Sequence, residues 1–193
     1  MPAQCLLDLD GVIADFVTGI CGAHNKPNPY LEKEHFGIFD TAGLWTMPWE
    51  EFIEPCNKEF WANLPKMPDA DEIIAAVTDF FGIENVCILS APTLNGGCVD
   101  GKIEWLSKHY PQFVESGRYL FGPRKDFCAG PYRVLIDDRD ENITKFRENG
   151  GNAILLSRPW NSFYFRSEKA VKYLIHDLKG RTFAANIYET LGK

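Results

Sequence analysis

The chain has 193 residues, with 20 Lys and Arg against 27 Asp and Glu for a net charge of −7, and 45 % of it is hydrophobic. That is room for one domain with a sizeable insertion, and the balance excludes a disordered, a collagen-like or a basic nucleic-acid-coating chain. Without a positive excess there is no counterion-release drive toward polymeric DNA or RNA, whereas a small phosphorylated ligand needs only local cations.

The cysteines Cys5, Cys21, Cys56, Cys87, Cys98 and Cys128 are scattered and form no CxxC. They are expected to be small hydrophobes in a reducing compartment rather than zinc ligands or disulfides. The opening MPAQCLLDLDGV has no basic leader, and Asp8 and Asp10 interrupt its apolar run. Nothing approaches the roughly 20 apolar residues of a membrane span, so a cytoplasmic protein outside the membrane is expected.

In chain order, CLLDLD (5–10) is the first apolar run, VCILS (86–90) the second, RVLID (133–137) the third and NAILLS (152–157) the fourth. Runs without polar alternation suit strands buried on both faces, as in a parallel sheet. Helical patterns fall between them. Asp69 and Glu72 resemble a capping box ahead of Ile73, Ile74, Val77 and Phe80 or Phe81. Ile103, Leu106 and Tyr110 share a face that Pro111 ends, Ile143 and Phe146 mark a third helix over 140–149, and Ser167 is placed to cap a last one carrying Val171, Leu174, Ile175 and Leu178. Strand–helix alternation of this kind predicts an α/β fold, a Rossmann-like parallel sheet flanked by helices.

The stretch 17–67 breaks that rhythm. Between Phe16 and Trp61 there are nine aromatics, about 20 % of the 46 residues against 13 % overall. It reads as a small, mostly helical insertion after the first strand, a cap on a core of 1–16 and 68–193. Its rings either pack the insertion or line a pocket.

Polar residues gather where the strands end. Asp8 and Asp10 follow the first run, Ser90 closes the second, Asp137 and Asp138 close the third, and ligands of open α/β sheets bind beyond the carboxyl ends of strands. Carboxylates brought together there are costly unless a cation joins them, and oxygen ligands with room for water favour Mg²⁺ over zinc. A metal with an open face receives a phosphoryl group, whose other oxygens call for the Ser90 hydroxyl, backbone N–H groups and a lysine. Lys125 is the first choice for that cation and Lys102 the second.

These motifs resemble those of the haloacid dehalogenase-like hydrolases: DLDGV (8–12), LSAPT (89–93), Lys125 and LIDDRDEN (135–142), in the family's order. The resemblance implies Asp8 as nucleophile forming an aspartyl-phosphate, and Asp10 as the acid and then the base. It implies Ser90 and Lys125 on the phosphate, Mg²⁺ held by Asp8, the Asp10 carbonyl and Asp137, and Asp138 behind them, orienting Lys125 or a metal-bound water. Asp two places after the nucleophile is the family's phosphatase pattern. Within the superfamily, DLDGVIADF (8–16) and EFWANLPKMPDADEI (59–73) are similar to the 5′(3′)-deoxyribonucleotidases, which implies Phe16 beside a nucleobase and Trp45, Trp49 and Trp61 as pocket walls. Where those relatives carry a second hydroxyl and a lysine after the second motif, this chain has Ala91 and Leu94.

The expectation is a Mg²⁺-dependent phosphomonoesterase for deoxyribonucleoside monophosphates, acting alone or as a homodimer. The alternatives are the same chemistry on another small ester such as a sugar phosphate, or a phosphate-ester binding protein without turnover. A phosphatase of DNA ends would want a basic groove, which −7 disfavours.

Overall fold

A computed structural model of the protein describes residues 3–94 and 96–180; the last part of the expected core, 181–193, lies outside the described residues. Five parallel strands form one sheet: β1 (Gln4–Leu7), β2 (Val86–Ser90), β3 (Tyr119–Phe121), β4 (Arg133–Asp137) and β5 (Asn152–Leu155), in the order β3-β2-β1-β4-β5. Four of them are the four apolar runs. The reason the runs do not alternate is visible in the packing. Leu7, Ile88, Val134, Ile136 and Ile154 belong to one hydrophobic cluster, and Leu6, Leu89, Leu135, Ala153 and Leu155 to another on the opposite face. The β3 strand has three residues and sits at the sheet edge with Leu120 half exposed, too short and too mixed to register as a run.

The helices of the sheet domain are α5 (Ala70–Phe81), α6 (Cys98–His109), α7 (Pro111–Glu115) and α8 (Asp140–Glu148) between strands, and α9 (Ala170–Gly180) after β5. Ile73, Ile74, Val77 and Phe81 are the buried face of α5, while Phe80 is exposed. Ile143 and Phe146 of α8 press on the second face of the sheet, each burial worth about 1.5–3 kcal/mol. Two end signals behave differently from expectation. Asp69 stands at the start of α5 but makes no side-chain cap there, because its carboxylate is taken by Arg158 at 2.7 and 2.9 Å. Ser167 falls inside a 3₁₀ turn, Tyr164–Lys169, and α9 begins after it. All six cysteines are free, and Cys5, Cys21, Cys56 and Cys98 are buried.

The stretch 16–67 contains α1 (Phe16–His24), α2 (Thr41–Leu44), α3 (Trp49–Ile53), α4 (Lys58–Ala62) and two 3₁₀ turns. Its two ends meet. Ala14 and Lys66 form an isolated bridge, the Met67 N–H donates to the Ile13 carbonyl at 2.9 Å, and the Asp15 N–H donates to the Pro65 carbonyl at 2.8 Å. The stretch then lies back on the sheet domain through α4 and α6. That approach depends on Gly101, where a Cβ would stand 2.3 Å from the Lys58 carbonyl oxygen and 2.7 Å from the Trp61 Cβ.

Register places the site. Leu7 is level with Ile88 of β2 and Ile136 of β4, so Asp8, Ser90 and Asp137 emerge at one edge. The chain order reverses on either side of β1, and the crevice of such a sheet opens at that reversal.

Candidate active site

Asp8 is still tied to the sheet, its N–H donating to the Ile136 carbonyl at 2.9 Å. The chain then folds on Leu9, whose carbonyl accepts the N–H groups of Ile13 and Ala14 at 2.9 Å each. Gly11 makes this loop possible. Its φ is +74°, and a Cβ there would lie 2.0 Å from Asp138 Oδ2. The loop turns Asp10 toward β2 and leaves Asp8 facing β4.

Two buried lysines divide the edge between them. Lys125, in the 3₁₀ turn Lys125–Cys128, donates to Asp8 Oδ1 at 2.7 Å and to Asp137 Oδ2 at 2.6 Å. Lys102, fully buried on α6, donates to Asp10 Oδ2 at 2.5 Å, to Ser90 Oγ at 2.9 Å and to the Ala91 carbonyl at 2.8 Å. Its ammonium also lies 4.6 Å from the centre of the Trp61 ring. The other Asp10 oxygen, Oδ1, is buried without a hydrogen-bond partner among the described residues. The second-choice cation is thus in the site together with the first. Leu94 is fully exposed and offers no charge.

Asp137 accepts from the Arg139 N–H at 2.9 Å, the Asn142 amide at 3.0 and 3.1 Å, and Lys125. Asp138 accepts the Trp160 indole N–H at 2.6 Å. One carboxylate oxygen from each of Asp8, Asp137 and Asp138 lies within 4.8 Å of the others. Burial pushes the Asp8 carboxyl well above the usual carboxylate range. Lys125 opposes that shift and Asp137 and Asp138 add to it. Asp138 is pushed up to about 7 by burial and by Asp137, against the pull of the Trp160 N–H. Burial works against the Lys125 charge, yet Asp137 and Asp8 hold its ammonium above the ordinary lysine value. One lysine does not offset three buried carboxylates. Their all-oxygen donor set fits a hard divalent cation such as Mg²⁺.

Facing this edge, a cavity is lined by Asp8, Asp10, Lys125 and Asp138 together with Phe16, Trp49, Phe52 and Trp61. Phe16 opens α1 and stacks on Trp61 with ring centres 5.5 Å apart. Trp49, 56 % exposed, stacks on Phe52 at 5.6 Å. Trp45 is not among the lining residues; it packs against Phe52 at 5.9 Å and His24 at 6.0 Å. The ring count therefore covers two populations, some packing the stretch and some bordering the cavity.

Four residues of the edge escape sequence reasoning. Asn142 braces Asp137, and Arg158, Trp160 and Asn161 follow β5. Arg158 donates to the Gly11 and Val12 carbonyls at 2.7 and 2.9 Å, besides its pair with Asp69. The rule that ligands lie beyond strand ends, applied to the fourth run as to the other three, points to the RPWN stretch that closes it.

The fold and this edge define an α/β protein of the Rossmann-like class with an acidic, lysine-braced site at the end of its central strand. Two solved structures resemble it: an L-2-haloacid dehalogenase from Xanthobacter autotrophicus with chloropropionic acid covalently bound (13 % identity, 91 % of this chain and 86 % of that one, TM-score 0.46), and a HAD family enzyme from Bacteroides thetaiotaomicron in magnesium complex (16 %, 86 % and 98 %, TM-score 0.41). A human relative, "5′(3′)-deoxyribonucleotidase, cytosolic type", is 28 % identical over 149 residues, 71 % of each chain. The family model "5′ nucleotidase, deoxy (Pyrimidine), cytosolic type C protein" matches residues 3–174. The chain belongs to that family and is a phosphoric monoester hydrolase of the 5′-nucleotidase kind. Among the described residues no helix is long and apolar enough to cross a membrane.

Proposed function

We propose that this enzyme hydrolyses deoxyribonucleoside monophosphates with Mg²⁺ through a phosphorylated Asp8, in the cytoplasm, and that 17–67 is a cap over the core. The observation that carries the reading is the division of the edge. Asp8 lies with Lys125 in an acidic cluster, Asp10 lies with Lys102 and Ser90, and aromatic rings border the cavity.

Asp8, Asp137, Asp138 and the Asp10 carbonyl would hold Mg²⁺, which supplies charge stabilisation for the transferring phosphoryl group. Ser90 Oγ and the Lys102 ammonium bind phosphate oxygens. A phosphate dianion competes with Asp10 for Lys102, which frees Asp10 to act as the acid. An Asp8 carboxylate oxygen attacks phosphorus, the ester P–O bond breaks, and the departing alkoxide takes the Asp10 proton. Water then attacks phosphorus and gives its proton to Asp10. The bond to Asp8 breaks, and the carboxylate and free phosphate are restored. Lys125 opposes the upward shift of the Asp8 carboxyl and aims it. Phe16, Trp49 and Trp61 receive the base, stacking being worth about 1–3 kcal/mol per base.

The test is phosphate release at neutral pH from deoxy- and ribonucleoside 5′- and 3′-monophosphates and from sugar phosphates, each with Mg²⁺, with EDTA, and with Asp8→Asn as blank. Metal-dependent turnover concentrated on deoxynucleotides is expected. Turnover confined to sugar phosphates overturns the substrate, and undiminished turnover in EDTA overturns the metal.

A further inference from the structure

The chemistry above gives no part to the buried polar residues that follow β5. Trp160 is 5 % exposed and makes its one hydrogen bond, 2.6 Å, to a carboxylate that is itself only 5 % exposed. We propose that Trp160 is a positioning residue for the divalent-cation site: its indole N–H holds Asp138 Oδ2 and so presents that carboxylate to Asp8 and Asp137. The inference rests on the reading that these carboxylates hold Mg²⁺.

A carboxylate on a single side-chain stem rotates about Cβ–Cγ, and three crowded anions would turn apart. A short N–H bond to one oxygen stops that rotation. The backbone of Asp138 is fixed as well, because the Asn161 amide donates to its carbonyl at 2.8 Å and to the Leu156 carbonyl at 2.7 Å. The indole has little freedom of its own. One neighbour is Tyr30 of the 17–67 stretch, with ring centres 5.4 Å apart. On another side is Gly11, where a Cβ would come 3.3 Å from the Trp160 ring. Tyr30 is anchored by donating its hydroxyl to the Ile38 carbonyl at 2.8 Å. A ring of fixed position thus delivers one donor to one carboxylate. Hydrogen bonds of this kind to metal-holding groups typically change metal affinity 10–100-fold when removed.

Mn²⁺ binding to the purified metal-free protein, followed by the loss of the free-ion EPR signal, reads the proposal without turnover. Trp160→Phe keeps a ring against Tyr30 and removes the donor, and it is expected to weaken Mn²⁺ about tenfold or more. The double variant with Asp138→Asn is expected to bind no more weakly than Asp138→Asn alone, because Trp160 acts through Asp138. With saturating Mn²⁺, kcat stays near the wild-type value while the metal needed for half-activity rises. Wild-type affinity in Trp160→Phe overturns the proposal, and so does a further loss in the double variant. Trp160→His keeps a ring N–H and is expected to retain more affinity than Trp160→Phe, and the reverse order also overturns it. No Mn²⁺ binding by the wild type, or an unaffected Asp138→Asn, instead brings down the metal reading beneath it.

Discussion

The two buried lysines look alike in burial and differ in company. Lys125 sits among Asp8, Asp137 and Asp138, with Asp8 and Asp138 both pushed above the carboxylate range. Lys102 pairs with the Asp10 carboxylate and spends its other donors on Ser90 Oγ and a carbonyl, while Asp10 Oδ1 has no donor among the described residues. On the proposed reading the first side takes the cation and the second takes the phosphate. The strand between them, β1, would then keep a cation site and an anion site apart within one cavity.

Substitutions on the two sides should therefore separate metal binding from turnover. The largest effect is expected at Asp8. Asp8→Asn should lower phosphate release at least about 10⁴-fold and weaken Mn²⁺, whereas Asp10→Asn should cost about 10²–10⁴ in kcat and leave Mn²⁺ affinity alone. Equal metal loss in both would dissolve the distinction. Next, Lys102→Met is expected to lower kcat/KM about 10²–10³-fold, again with unaltered Mn²⁺ affinity. Lys125→Met removes the sole lysine from the acidic side and should cost the metal-free protein about 3–5 kcal/mol in denaturant melts. Added Mg²⁺ should recover more stability in this variant than in the wild type, since it replaces the missing charge. Smallest is Trp49→Ala, for which KM of a nucleotide should rise about fivefold, roughly 1 kcal/mol, with a sugar phosphate unaffected.

The sheet centre is legible from sequence because β1, β2, β4 and β5 are covered on both faces, and that cover forces uninterrupted apolar runs. Asp8, Ser90 and Asp137 are legible because each closes such a run. Other elements depend on partners far along the chain. Asp69 has a capping residue's chemistry, yet Arg158, 89 positions later, takes its carboxylate, and no local pattern records that. The Trp160–Asp138 contact spans 22 positions and hinges on the absence of a side chain at Gly11. Trp45 and Trp49 are four residues apart in the same aromatic stretch, and only packing tells the ring behind Phe52 from the one beside the cavity. Ser167 fails as a cap because the chain tightens into a 3₁₀ turn before α9.

The neck that joins 16–67 to the sheet has a further meaning. Both passages of the chain are laced to each other at Ala14 and Lys66, and one guanidinium, Arg158, grips the outgoing loop at Gly11 and Val12 and the return at Asp69. The ends of the inserted stretch are held at a fixed separation by contacts that do not involve its interior. The interior is not free of the core, since α4 packs on α6 at Gly101 and Tyr30 packs on Trp160, so any exchange has to preserve those contacts. Length changes confined to the turns between those contacts cost mainly loop entropy and leave the neck, and with it Asp8, in place.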